Sequence, residues 1–277
     1  LAGSTSSGLF EYLAEGTPTK PFHAGWAAHA GVVTTALAAR GAAGPSSVLE
    51  GRFGIYRALL GRACDQALTQ QVGDLGSRWE TLAVAIKPYP ACHFIHAAMD
   101  AVHQLREQGL ESDQVTILEV GVPADALPIV VEPAERKLSP STSYEAKFSL
   151  QFSVAAMLAD GAVDLSTYEQ RSLDDPRIGE LARRIEVAVV AREDRGPLFA
   201  TVTARLADGS TLHADVPHPT GTPECPLARE GVTDKFHANA DAALGQTRAR
   251  SLAEALLSLD RLPGLDSLGL TADPAGG

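Results

Sequence analysis

The spacing of apolar residues predicts helices in the first part of the chain. The segments 7–15 and 22–40 read as helices, and each is followed directly by a glycine, a residue that commonly ends a helix. A further helix is predicted over 91–108, where the apolar residues fall on one helical stripe. The segment 22–40 is dominated by small residues. Because small residues let neighbouring backbones approach closely, we expect this helix to lie inside a helical assembly.

Beyond the third helix the apolar residues alternate with polar ones, which predicts β-strands. The alternating segments are 114–123, 184–190 and 198–217. Asp208-Gly209 marks a hairpin turn within the last of them, and a proline-rich loop is expected between the first strand and about residue 140. Helical spacing returns over 144–161 and again from about residue 230.

This order of helices, mixed structure and helices predicts a mainly α protein with an inserted α+β lid. The helical domain is then discontinuous in sequence, with residues 1–80 forming part of it and the C-terminal helices of 223–277 returning to it. The lid domain covers 81–222. A chain of 277 residues can form one large domain or two smaller ones.

Composition and charge argue against two classes of partner. The formal net charge is −11, whereas a nucleic-acid-binding surface needs a basic stripe, and none is visible. An anionic substrate must therefore be attracted by a local cluster of cations. No apolar run approaches the length of a membrane span, and no signal peptide opens the chain. We expect neither nucleic acid nor a membrane as partner.

Cysteine usage bears on the compartment and on metal binding. The three cysteines, Cys64, Cys92 and Cys225, are few, odd in number and far apart. This fits a reducing cytoplasm better than a disulfide scaffold, so we expect a cytoplasmic protein. Without a C-x-x-C pair, an iron–sulfur cluster or a structural zinc site is not expected. Cys92 is expected to be a small buried residue, with a nucleophile as the alternative.

Lysine is scarce in a chain whose basic residues are mostly arginine. The five lysines are Lys20, Lys87, Lys137, Lys147 and Lys235. Lys20 and Lys87 each precede a proline and an aromatic residue where a helix is about to begin. Because proline fixes φ and is tolerated in a first turn, each ammonium is held at a helix entrance, where unpaired amides favour a carboxylate. The alternative is a surface lysine at a turn.

Histidines follow both lysines closely. His23 and His29 share the helix of small residues. Each is a candidate catalytic residue, and the alternative for each is a packing role. His93 and His96 are three residues apart and share a helix face, but no third metal ligand is in view. His93 is the better candidate acid or base, because its unperturbed pKa lies near neutral pH. Ser6 is a candidate anion ligand, with a helix cap as the alternative.

Five segments carry distinctive motifs: "AGSTSSGLFEYLAEGTPTKPFHAGWAAHAG", "VLEGRFGIY", "KPYPACHFIHAAMDA", "KFSLQFSVAAMLADG" and "DKFHANA". In this order they resemble segments of the MmgE/PrpD family, and the resemblance covers essentially all 277 residues. It implies a discontinuous helical domain with a smaller α+β lid. It also implies a site between the two bodies that works on small di- or tricarboxylates without a metal or an organic cofactor.

The resemblance also assigns residues by matching motif. Lys20, Lys87 and His93 resemble catalytic residues of the family. His23 lies in the same motif as Lys20 and, with Ser6, is a candidate substrate-binding residue. A homodimer formed through the helical domain is expected.

The reactions of this family share one difficulty, which is negative charge developing on carbon next to a carboxylate. Fixed cations in a closed cleft stabilise such charge. Our leading expectation is a cofactor-independent hydro-lyase acting on an acid such as 2-methylcitrate, in which Lys20 and Lys87 clamp carboxylates and His93 transfers a proton. One alternative is a decarboxylase or epimerase of a related acid, such as cis-aconitate or iminodisuccinate. Another is a non-catalytic fragment or subunit of such an enzyme.

Two departures from the family pattern bear on these expectations. The family's N-terminal helical portion, which carries further catalytic histidines and an aspartate, is absent from this sequence. That absence bears on whether the chain is active alone. In addition, the loop after Pro123 has no tyrosine, although decarboxylating members use one close to there, which counts against decarboxylation.

Overall fold

A computed structural model of the chain describes residues 1–61, 72–191 and 196–268. The chain divides into two compact units, Leu1–Ala83 and Val84–Gly277. The division lies close to residue 80, where the first helical part was expected to end. The return of the C-terminal helices to a discontinuous helical domain, and the lid itself, stay predictions.

The first unit is helical in its described part. Its helices are α1 (Tyr12–Glu15), α2 (Lys20–Ala38) and α3 (Ile55–Leu60). Gly16 ends α1 in a left-handed conformation, as the sequence indicated. Much of α2 is exposed, including the large apolar side chains of Phe22 and Trp26. Its expected place inside a helical assembly stays a prediction.

The second unit is built around one four-stranded mixed sheet. The strands are β1 (Val115–Val122), β2 (Ile185–Val189), β3 (Ala200–Leu206) and β4 (Thr211–Val216). Their spatial order is β2-β1-β3-β4; β1 pairs in parallel with β2, whereas the other two pairings are antiparallel. All three alternating segments are strands, and Gly209 turns the β3–β4 hairpin with φ +86°.

Nine described helices of the second unit surround or follow the sheet. They are α4 (His93–Glu107), α5 (Leu127–Val130), α6 (Ala134–Leu138), α7 (Ser143–Ala146), α8 (Leu150–Asp160), α9 (Gln170–Leu173), α10 (Pro176–Ala182), α11 (Arg229–Leu244) and α12 (Gln246–Leu257). The fold is therefore mainly helical with a small mixed sheet, as predicted. No helix among the described residues combines the length and the apolar composition that a membrane span requires.

The core of the second unit lies between the sheet and helices α4 and α8. Helix α4 packs against α8 on one side and against β3 and β4 on the other. Its predicted stripe is buried at Ile95, Met99 and Leu105, because these residues recur on one face at helical spacing. Residues on one face of the strands, such as Val120 and Val202, complete the core.

Two segments differ from their predicted structure. The proline-rich loop contains the short helices α5 and α6, because Pro128 lies in the first turn of one and Pro133 precedes the other, positions that proline favours. The segment 144–161 forms two helices rather than one. Ser149 interrupts it, since its side chain accepts a hydrogen bond from the amide of Phe152 and caps α8.

Gly221 binds the segment that precedes α4, and there is no space for a side chain at this glycine. The Ile86 amide donates to the Gly221 carbonyl at 2.8 Å. Gly221 has φ +90°, and a Cβ there would lie 1.9 Å from the Ile86 oxygen.

We expect Gly221→Ala to lower the free energy of unfolding by about 3 kcal/mol, through a disfavoured φ together with a backbone clash. The matched control is Gly209→Ala, which has a similar φ but open space around the new methyl group. It should cost only about 1 kcal/mol. Urea unfolding monitored by circular dichroism measures both, and equal losses would contradict the proposed clash.

Candidate active site

The Lys-Pro-Tyr-Pro segment brings Lys87 to the start of α4. Pro88 and Pro90 restrict the backbone between Lys87 and the helix, and Cys92 is the N-cap residue in extended conformation. The half-buried Lys87 ammonium donates to the Ala91 carbonyl at 3.1 Å. The lysine is therefore held at the helix entrance, as its position before a proline indicated.

His93 and His96 lie side by side at the same helix entrance. Their ring centroids are 4.9 Å apart in an edge-to-face arrangement. His96 is fully buried, and its Nε2 lies 3.3 Å from the Ala91 oxygen. Because a carbonyl only accepts hydrogen bonds, we assign the proton of His96 to Nε2. Ala91 therefore binds both the Lys87 ammonium and the His96 ring.

Both histidines are held in the neutral form near neutral pH. Burial, together with His93 and the cations Lys87 and Lys235, lowers the pKa of His96 to about 3. Burial is also the main cause that lowers the pKa of His93, and Lys87 adds to it while Asp100 opposes it. A neutral His93 is in the correct state to accept a proton.

One ring nitrogen on each histidine is left without a partner. Among the described residues, His93 Nε2 and His96 Nδ1 are buried and make no hydrogen bond. A buried polar atom without a partner costs free energy, and such atoms in a native structure call for an explanation. The unpaired His93 Nε2, on a ring that feels the charge of Lys87, is therefore a candidate contact for a reacting group.

Asp100 and Tyr89 complete this cluster, and the sequence did not single them out. The Tyr89 hydroxyl donates to Asp100 Oδ1 at 2.8 Å, and the amide of Thr220 donates to Oδ2 at 2.7 Å. Burial and the neighbouring Asp100 carboxylate raise the pKa of Tyr89, so the phenol remains a donor. The available signal was an aspartate one helical turn beyond His96, on the helix face that carries both histidines.

Two other lysines of the second unit have different surroundings. The Lys137 ammonium donates to the carbonyls of Ile129 and Phe148 at 2.8 Å each. Burial lowers the pKa of Lys137 to about 8. Its hydrogen bonds link α6 to α5 and to the residue before Ser149. Lys235 lies on α11 and lines a cavity of about 280 Å³ together with Pro88 and Pro90.

The remaining predicted residues belong to the first unit. Lys20 is the first residue of α2 and is exposed, with proline in the first turn of that helix. His23 packs edge-to-face against Tyr12, with ring centroids 5.5 Å apart. Ser6 donates to the Gly3 carbonyl at 2.9 Å and lines an open cavity of about 550 Å³ that also includes Arg52.

The structure thus brings together two of the three predicted catalytic residues. Lys87 and His93 both lie at the entrance of α4, where the charge of Lys87 lowers the pKa of His93. The pairing of Lys20, His23 and Ser6 with them stays a prediction. His29 stacks on Trp26, and Cys92 is half-buried rather than fully buried. Among the described residues, no group of three or more His, Cys, Asp or Glu side chains could hold a metal ion. Cys64 lies outside those residues.

Comparison with known proteins places the chain in a family. The MmgE/PrpD C-terminal domain matches residues 89–261, and the MmgE/PrpD N-terminal domain matches residues 1–67. Residues 1–67 thus match the family's N-terminal domain, whose helical portion was expected to be missing. The first match covers more than half of the chain and begins within the Lys-Pro-Tyr-Pro segment.

The chain is also similar to curated proteins. It is 26% identical over 252 residues to a cis-aconitate decarboxylase of Homo sapiens, covering 89% of this chain and 51% of that protein. It is 24% identical over 261 residues to a cis-aconitate decarboxylase of Aspergillus terreus, covering 88% and 52% respectively. The chain spans about half the length of the curated relatives it matches.

The buried state of His96 predicts a pH-dependent stability. Its pKa is about 3 in the folded chain, against an ordinary value of 6.5, so the unfolded state binds the extra proton between these values. Stability is therefore complete above pH 6.5 and decreases as the pH falls below it. This histidine alone should cost about 2 kcal/mol between pH 7 and pH 5.

His96→Asn should reduce this loss of stability, measured by urea unfolding at the two pH values. His103→Asn is the matched control, because His103 lies exposed on the same helix and its replacement should leave the loss intact. An equal loss in the wild type and in His96→Asn would show that His96 is not held neutral.

Proposed function

The chain belongs to the MmgE/PrpD family, and on that basis we propose that it is part of a cofactor-independent lyase acting on a small di- or tricarboxylic acid. The observation that carries this proposal is the arrangement at the entrance of α4. There a neutral histidine with an unpaired nitrogen lies in the field of the Lys87 ammonium. A cation to hold a carboxylate and a base to move a proton are the two groups that such chemistry needs.

In the proposed reaction, Lys87 binds a substrate carboxylate next to the reacting carbon. His93 Nε2 takes the proton from that carbon, and the electron pair left behind is delocalised toward the carboxylate. The ammonium stabilises the enolate-like charge more strongly than it stabilises the substrate, which lowers the barrier. His93 then returns the proton to the departing hydroxyl, so that water leaves and a carbon–carbon double bond forms.

Dehydration of an acid such as 2-methylcitrate is the reaction we place first, because a neutral His93 can begin by accepting a proton. Decarboxylation is the second candidate, and the names of the curated relatives favour it. In that reaction the carbon–carbon bond to carbon dioxide breaks, and the electron pair stays on the substrate carbon. His93 would then have to arrive protonated in order to supply the proton.

Lys20 remains part of the proposal as a second cation for substrate carboxylates. Its support is the motif it shares with the family and its place at the first turn of α2. His23 and Ser6 are proposed as substrate contacts on the same basis. A homodimer through the helical domain and a cytoplasmic location are also proposals.

A substrate screen separates dehydration from decarboxylation. The complete gene product is incubated with citrate, 2-methylcitrate, cis-aconitate and iminodisuccinate, and products are identified by ultraviolet absorbance and mass. A loss of 18 mass units identifies dehydration, and a loss of 44 identifies decarboxylation. The absence of turnover with all four acids would count against the proposed substrate class.

Replacement of Lys87 tests the role of its ammonium. We expect Lys87→Ala to lower kcat by about 10²–10³, since it removes a cation placed where charge develops, while thermal unfolding changes little. Arg171→Ala, which removes an exposed cation of the same unit, is the control and should retain wild-type turnover. Wild-type kcat in Lys87→Ala would remove Lys87 from the mechanism.

The pH dependence of kcat/KM tests the role of His93. A base must be unprotonated in the resting enzyme, and burial and Lys87 lower the pKa of His93 below 6.5. The acidic limb of the profile should therefore have its midpoint below pH 6.5. In Lys87→Met the limb should move to higher pH, because the opposing cation is gone. An acidic limb unchanged by this substitution would show that His93 is not the base in the rate-limiting proton transfer.

A further inference from the structure

We propose that Asp100 is a positioning residue of this site: through Tyr89 and Thr220 it holds the Lys87 segment against α4, and its carboxylate stabilises the His93 imidazolium that forms during the reaction. The catalytic part of this role of Asp100 rests on the function proposed above. The contacts themselves do not depend on that function.

The first argument is the environment of Asp100. Its side chain is 5% exposed, and burying a carboxylate is costly unless it is well compensated. Both oxygens accept a hydrogen bond, one from the Tyr89 hydroxyl and one from the Thr220 amide, but both donors are neutral. Among the described residues Asp100 makes no ion pair. An apolar residue would be buried at this position at a lower cost, which indicates that the charge has a use.

The second argument is what Asp100 connects. Tyr89 belongs to the segment that carries Lys87, Asp100 lies on α4, and Thr220 lies 120 residues further along the chain. Ile86, on the other side of Lys87, is bound to Gly221, the neighbour of Thr220. Ile86 is therefore bound to this turn directly, and Tyr89 is linked to it through Asp100. An ammonium on a segment held in this way loses less entropy when it binds a carboxylate.

The third argument is the balance of charge around His93. The titratable groups that act on its ring are Lys87 from the preceding segment and, from its own helix, His96 and Asp100. Lys235 on α11 acts on His96. Asp100 lies seven residues after His93, on the same side of α4, and it is the one anion among these groups, so its charge favours a protonated His93. When the base takes a proton from carbon, Asp100 offsets the repulsion from Lys87.

The experiment uses nuclear magnetic resonance of the protein labelled with ¹³C at histidine Cε1, with His93 assigned by its absence in His93→Gln. In Asp100→Asn the charge is removed while an oxygen remains to accept from Tyr89. We expect the titration midpoint of His93 to fall by at least half a pH unit. Asp208→Asn, an exposed aspartate in the β3–β4 turn, should leave it unchanged.

Kinetics with the substrate found in the screen provide the second measurement. Asp100→Asn and Tyr89→Phe should each lower kcat/KM about tenfold or more, and only Asp100→Asn should also move the acidic limb of the profile. Tyr168→Phe is the matched control for Tyr89→Phe, because it removes another buried hydroxyl, one that contacts Ser153. It should retain wild-type kcat/KM.

The outcomes separate this inference from the proposed function. If no acid is turned over but the His93 midpoint falls in Asp100→Asn, the proposed function fails while the electrostatic role of Asp100 stands. A folded Asp100→Asn protein with an unchanged His93 midpoint would overturn that role, whatever the activity. Should Asp100→Asn not fold, Tyr89→Phe decides, and wild-type kcat/KM in that variant would overturn the positioning role.

Discussion

The Ala91 carbonyl is the point on which the arrangement of the candidate site depends. It accepts hydrogen bonds from the Lys87 ammonium and from the buried His96 ring, and so joins the segment before α4 to the helix itself. Because one oxygen accepts both hydrogen bonds, a movement of the Lys87 ammonium is coupled to a movement of the His96 ring. The prolines on either side of Tyr89 restrict the backbone between them, so this short stretch holds a cation and two imidazoles in a fixed relation.

Burial gives this arrangement its chemical character. An exposed histidine at this position would be partly protonated near neutral pH and would share its protons with water. Here the face of α4 that carries them lies against the Lys-Pro-Tyr-Pro segment and the turn at Thr220; the His96 ring is fully buried and the His93 ring partly so, which favours their neutral forms. Asp100 is buried against Tyr89 and Thr220, and its carboxylate is therefore screened less than a surface charge. The electrostatics of the site are thus a consequence of the core, not of the net charge of the chain.

Several features of the site followed from the sequence because they are local. Proline after Lys87 fixes a helix entrance, the stripe of Ile95, Met99 and Leu105 orients α4, and the spacing of His93 and His96 places them on one face. The strands followed from alternation, and the hairpin from Asp208-Gly209. The errors were also local in origin: prolines read as loop residues begin short helices at Pro128 and Pro133, and Ser149 divides a predicted helix by capping its second half.

By itself, then, the sequence determined the local elements, the lysine and histidine at the helix entrance and, through its motifs, the family. Each of these depends on interactions between residues close in the chain, which a pattern records directly. Only the tertiary structure decided that His96 is buried and neutral, that His93 keeps an unpaired nitrogen, and that Asp100 binds Tyr89 and the amide of Thr220. Those properties depend on which distant segments pack around α4, and on the desolvation that this packing causes, and no spacing within one segment encodes them.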